Sequence, residues 1–142
     1  VRTAHFAAFD AALKARIPEL ASLTYDGDAP LENGQPLRKT YLVEHDMGFD
    51  GQDDDRLAAE TADAADGTYR VIVRVVAVTR TAVRDVADSV KTALVGHRLT
   101  IAGRSCGAIA KDPGPDGIER DDAVAPPLLY VDLDFVWRSS RA

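Results

Sequence analysis

Asp132 and Asp134 are the pair of residues in this sequence best spaced to do chemistry. In an extended strand alternate side chains share a face, so both carboxylates could converge on one divalent cation, as a metal-dependent hydrolase or nuclease would require. A plainer reading competes. Arg70 and Arg74 share one face of their own strand, and two such strands side by side pair opposite charges across a sheet. No histidine or third acid stands at a recognisable spacing from Asp132 and Asp134, which favours the salt-bridged face and keeps the hydrolase as the alternative.

Other constellations fail on spacing. A calcium loop begun at Asp46 has Gly48 third and Leu57 twelfth, and one begun at Asp112 has Gly114 and Ala123, so both lack the closing glutamate. Cys106 is the single cysteine; it allows no intramolecular disulfide and no multi-cysteine zinc site, and no G-x-S-x-G elbow occurs. His5, His45 and His97 are scattered over a helix start, a strand end and a helix exit. Neither a P-loop nor a G-x-G-x-x-G is present, and the glycines between Asp112 and Gly117 lie among acids that repel phosphate. The expectation is a protein without enzymatic activity and without a cofactor.

The elements that must position these residues follow from hydrophobic periodicity. Phe6, Phe9, Leu13 and Ile17 step by three, four and four, which predicts a helix from Thr3 to about Arg16, ended by Pro18. A short strand is expected at Ser22 to Tyr25, then a turn-rich connection, then a strand at Lys39 to His45. The strongest strand is Thr68 to Thr79, where Tyr69, Val71, Val73, Val75 and Ala77 fill one face. Val83, Val86, Val90 and Leu94 mark a second helix capped by Thr81 and ended by Gly96. Short strands are expected at Arg98 to Ala102 and Ser105 to Lys111, a loop from Pro113 to Pro127, and a last strand from Leu128 to Arg138. This order fits an α+β fold: a single mixed, largely antiparallel sheet with two helices packed on one face.

Length and charge narrow the class further. The 142 residues suit one domain, 1–142, and the formal net charge of −6 argues against a general polyanion binder. The deficit is local. Residues 46–66 hold eight acids against Arg56, a local −7 that leaves the remainder at +1. Met47, Phe49 and Leu57 are interspersed with these acids, which makes the acidic insert either a solvated excursion or a docking segment with apolar anchors. No apolar run approaches the ~20 residues of a membrane-spanning helix and no export segment is evident, so a soluble chain with no membrane partner is expected.

The N-terminal helix, the strand from Tyr69 to Val76, the helix from Thr81 to Val95 followed by Gly96, His97, Arg98 and Leu99, and the closing stretch from Tyr130 to Arg138 form a pattern. In element order, size and aromatic-rich final strand, the chain resembles the tail terminator proteins of long-tailed phages, also called tail completion or minor tail proteins. The resemblance implies a structural virion protein at the head-proximal end of the tail, assembled in the host cytoplasm. It implies a homo-oligomeric ring, typically a hexamer, that binds the last ring of the major tail (tube) protein, stops tube polymerisation and offers a surface to a head-side connector protein. DNA would pass through the lumen without sequence-specific binding. On these expectations Met47, Phe49, Asp53, Asp54, Asp55 and Leu57 are candidates for tail-tube docking. Arg70, Arg74, Arg84, Asp132 and Asp134 are candidates for the subunit interface, unless the same charges pair within one subunit.

Overall fold

Two long strands with uninterrupted apolar faces dictate the architecture. The computed structural model describes residues 2–51, 66–114 and 116–142. Helix α1 (Arg2–Arg16) leads through a 3-10 turn (Pro18–Leu23) into β1 (Thr24–Asp26), followed by β2 (Tyr41–Gly51) and β3 (Gly67–Ala77). Helix α2 (Arg80–Leu94) precedes β4 (Arg104–Cys106), β5 (Ala110–Lys111), β6 (Glu119–Asp121) and β7 (Leu128–Arg141). One sheet runs in the order β1-β2-β3-β7-β4, with β5 and β6 also pairing with β7. Among the described residues only β1 with β2 is parallel, so the sheet is mixed and largely antiparallel, as expected.

Both helices lie on the same face. Phe9 and Leu13 of α1 and Val83, Ala87, Val90 and Leu94 of α2 pack onto Leu42, Val71, Val73, Val75, Leu133, Phe135 and Trp137. Burying each of these large apolar side chains stabilises by roughly 1.5–3 kcal/mol. Valine is a poor helix former, so it is this burial that makes the Val83–Val90 segment helical. On the opposite face a smaller cluster of Leu37, Tyr41, Val43, Val76, Val124 and Leu128 forms under two loops. There the loops supply the cover that the helices give the other side.

Several boundaries differ from expectation. Thr79, not Thr81, caps α2: its hydroxyl accepts from the Ala82 amide at 3.2 Å. Arg98 makes an isolated bridge to Ala108 in place of a strand at 98–102, and the connection expected at 113–127 contains β6. The most consequential change is at the acidic insert. β2 continues six residues past His45 to Gly51, so Asp46 to Asp50 belong to the sheet and not to an excursion.

The extension depends on a bulge. Asp46 pairs with Val71 but Gly48 pairs with Arg70, so Met47 is an extra residue. One inserted residue reverses which face the following side chains occupy. Even-numbered Leu42 and Glu44 face the helices before it, and odd-numbered Phe49, opposite Tyr69, faces them after it. A strict alternation from Lys39 could not have continued through this point.

Candidate functional site

The open face of the sheet carries a charge ladder. Arg74 is directly opposite Asp132 and donates to both its oxygens, from Nε at 2.8 Å and Nη2 at 3.0 Å. Arg70 donates to Asp134 and, at 2.8 Å, to Asp112. The two-pronged contact of Arg74 fixes geometry as well as charge. The hydrogen bond from Arg74 to Asp132 and the one from Arg70 to Asp112 are the chief reasons both guanidinium groups are held above their ordinary range.

This arrangement decides between the two readings of Asp132 and Asp134. Asp132 bonds Arg74 through both oxygens and Asp134 bonds Arg70 through Oδ2, its Oδ1 being buried with no partner among the described residues, where no group of three potential ligands could hold a metal ion. The geometry gives the hydrolase alternative no support. Arg70, Arg74, Asp132 and Asp134 are brought together, but within one subunit. Arg84 is not with them: it is exposed on α2, in the helical layer on the other side of the sheet. The five candidates for one interface therefore divide between two surfaces. A double-mutant cycle on Arg74 and Asp132, read by urea unfolding, is expected to return a coupling of about 0.5–1 kcal/mol, reduced by salt, because both side chains are over a third exposed. A coupling indistinguishable from zero would remove this pair from the ladder.

A second cluster anchors the base of the acidic segment. The Asp46 carboxylate accepts from the Tyr69 hydroxyl at 2.5 Å, the Gly48 amide at 3.0 Å and Arg2 Nε at 2.8 Å. Burial raises the Asp46 pKa, but the bonds from Tyr69, Arg2 and Gly48 outweigh it and hold the group below its ordinary value. Burial and the bond donated to Asp46 push the Tyr69 hydroxyl up. Gly48 has φ +85, and the Arg2 guanidinium lies 3.4 Å from where a Cβ would sit. A side chain there would be strained by the backbone and pressed against Arg2.

The docking candidates are distributed by this bulge. Met47 stands outward, 55 % exposed. Phe49 instead turns toward the aromatic cluster, with ring centroids 5.8 Å from His5 and 6.4 Å from Tyr69, and the Arg104 guanidinium 5.7 Å from its ring. Asp53, Asp54, Asp55 and Leu57 lie outside the described residues.

One pairing has the look of a catalytic dyad. His5 Nε2 and the Ser139 hydroxyl are 2.7 Å apart, and Arg104 Nε donates to the same hydroxyl at 2.9 Å. Both His5 and Ser139 are buried, however, and His5 stacks on Tyr69 at 5.0 Å. A nucleophile needs an opening for substrate, so this is a packed core contact. Cys106 is likewise buried, its sulfur 4.0 Å from the Ser139 hydroxyl. The histidines do not converge: the His97 Nδ1 accepts from Arg16 at 2.7 Å, and burial, then the Arg16 charge, lower its pKa.

Sequence reasoning missed the Asp46 anchor, although a signal was present. An aspartate two residues before a glycine is the pattern in which a carboxylate bonds the backbone two positions on.

Comparisons with known proteins agree with this topology. A chain in the solved structure described as the virion of a native gene transfer agent (GTA) particle superposes with a TM-score of 0.61 at 20% identity, covering 98% of this chain and 93% of that one. The two share a fold. A second solved structure superposes with a TM-score of 0.58 at 16% identity, covering 99% of this chain and 94% of that one. No protein-family model matches the chain, and no curated protein matches it in sequence. Among the described residues no helix is long and apolar enough to cross a membrane.

Proposed function

We propose that this chain is a structural virion protein without enzymatic activity, and that it forms the ring that terminates a phage-type tail tube. The observation that carries the reading is the fold shared over nearly the full length with a chain of a virion particle. Its location is then the head-proximal end of the tail. One ring face meets the tube protein and the other a head-side connector, which requires two different surfaces on each subunit. The helical layer with Arg84 and the open sheet face with its arginine and aspartate ladder are two such surfaces. A hexamer multiplies the local −7 of residues 46–66 sixfold. That field steers a basic tube rim toward the ring, or keeps DNA from adhering if it faces the lumen.

The hairpin geometry sharpens the test. Replacing residues 52–65 by Asn-Gly removes five of the eight acids while keeping the bulge and the Gly51 to Gly67 pair. Purified tube protein is mixed with each form and tube length is read by negative-stain microscopy. Wild type is expected to form rings and arrest tube growth, and the shortened variant to fold normally and lose capping. Unimpaired capping by the variant would assign docking elsewhere. A wild-type chain that stays monomeric and never limits tube length would overturn the proposal itself.

A further inference from the structure

On the face of the sheet away from the helices, a cleft of about 200 Å³ opens between the Gly27 to Ala29 turn, β2 and the start of β7. Its floor is apolar, made by Val43, Val76 and Leu128 of the smaller core cluster. Tyr41 and Tyr130 contribute aromatic walls, and Asp28 and Asp121 place carboxylates along it. The space is below the ~300–1,000 Å³ of pockets for drug-sized ligands, and suits a single long side chain.

Its charge selects the sign of the occupant. Arg74 also lines the cleft, but its charge is already met: two of its nitrogens bond Asp132 and its plane lies 4.2 Å from the Tyr130 ring centre. Tyr130 in turn donates to Glu119 at 2.8 Å. Among the described residues, neither Asp28 nor Asp121 has a basic side chain within ion-pair distance. Asp121 uses Oδ1 to accept the Ala123 amide at 3.1 Å, which leaves its second oxygen for a further donor. Tyr41 keeps its proton, since burial and then the neighbouring Asp121 raise its pKa, so it remains a neutral wall with one hydroxyl. An anion entering here would meet two uncompensated carboxylates. A guanidinium would meet the carboxylate acceptors of Asp28 and Asp121 above an apolar floor, with one face of Tyr130 already covered by Arg74.

We infer that this cleft receives one basic side chain, an arginine, from a protein partner that docks on the open sheet face. The inference stands whether or not the chain forms a tail ring, because it uses only groups within one subunit. The test titrates the isotope-labelled full chain with N-acetyl-arginine methylamide at about pH 8. Binding is followed by two-dimensional amide NMR. The control ligand is N-acetyl-citrulline methylamide, which has the same shape without the charge. Saturable shifts are expected at Tyr41, Val43 and Val76, with the citrulline compound binding about fivefold more weakly. Asp28→Asn combined with Asp121→Asn is expected to weaken the arginine compound by about fivefold and leave the citrulline response unchanged. Equal binding of the charged and neutral ligands to wild type, or no saturable shift at these residues, would overturn the inference without need of any variant.

Discussion

At about pH 9 the Glu44→Met variant is expected to be more stable than wild type by about 2–3 kcal/mol, and at about pH 5 by ~1 kcal/mol or less. Glu44 sits in the middle of β2, opposite Val73, and its side chain is 0 % exposed. Among the described residues neither carboxyl oxygen has a hydrogen-bond partner within 3.5 Å. The charged groups that face it are Asp10 and Lys14 of α1 and Asp26 of β1. Burial first, then the Asp10 carboxylate, raise its pKa from 4.5 to about 9, against a smaller lowering by Lys14. The group is therefore neutral in the folded protein at pH 7 and ionised in the unfolded chain.

The sign of the pH dependence follows. A raised folded pKa means that the folded state holds a proton that the unfolded state has released, so stability falls as pH rises between about 4.5 and about 9. Each unit of this interval costs at most about 1.4 kcal/mol, and relaxation around a buried charge reduces that ceiling. Methionine is unbranched like glutamate and adapts to irregular space, so it removes the titration without leaving a cavity. Urea unfolding of both proteins across this range measures the difference. A gap that does not widen toward alkaline pH would show that Glu44 ionises without penalty, and the account of its burial would be wrong.

The Asp46→Ala variant is expected to lose about 2–3 kcal/mol at pH 7. The cost comes from the Tyr69 hydroxyl and the Gly48 amide, both deprived of the carboxylate they donate to. Tyr69 retains a 3.2 Å contact to the Arg2 carbonyl, which limits the loss. The exposed Arg2 ion pair is left out of the figure. Asp46 has a depressed folded pKa, so its contribution is present above the unfolded value near 3.8 and is lost as pH falls through the folded one. Asp46→Asn, which keeps an acceptor oxygen, is expected to flatten the acid limb at smaller cost. Amide hydrogen exchange adds a local readout: protection at Gly48 and Phe49 should drop in Asp46→Ala, because the bulge that aims Phe49 at His5 has lost its clamp. Unchanged protection there would mean that the ladder with β3 holds the bulge unaided.

Much of this architecture was legible in the pattern of residue types. Tyr69, Val71, Val73 and Val75 alternate without a break, and all four are buried under the helices. Arg70 and Arg74 were matched to Asp132 and Asp134 as a possible salt-bridged face, and they pair there. Alternation reports which side chains share a face, and opposite charges at like spacing report which strands suit each other. The site was less legible. Treating every acid from Asp46 onward as an insert overlooked that Asp46 is bonded to Tyr69, and grouping Phe49 with Met47 as apolar anchors overlooked the bulge that separates their faces.

The amino-acid sequence by itself determined the order of the two helices and the long strands, the apolar faces and the local concentration of negative charge, because each of these is a periodic or compositional property of neighbouring residues. The tertiary structure alone decided the rest. Register placed Arg74 opposite Asp132 and made that pair a salt bridge across the sheet. A single extra residue at Met47 turned Phe49 inward. Packing of α1 over β2 closed water away from Glu44, and two loops folding onto the open face made the cleft beside Tyr41. These outcomes depend on pairings between residues far apart in the chain, which carry no signature in the local pattern of either partner.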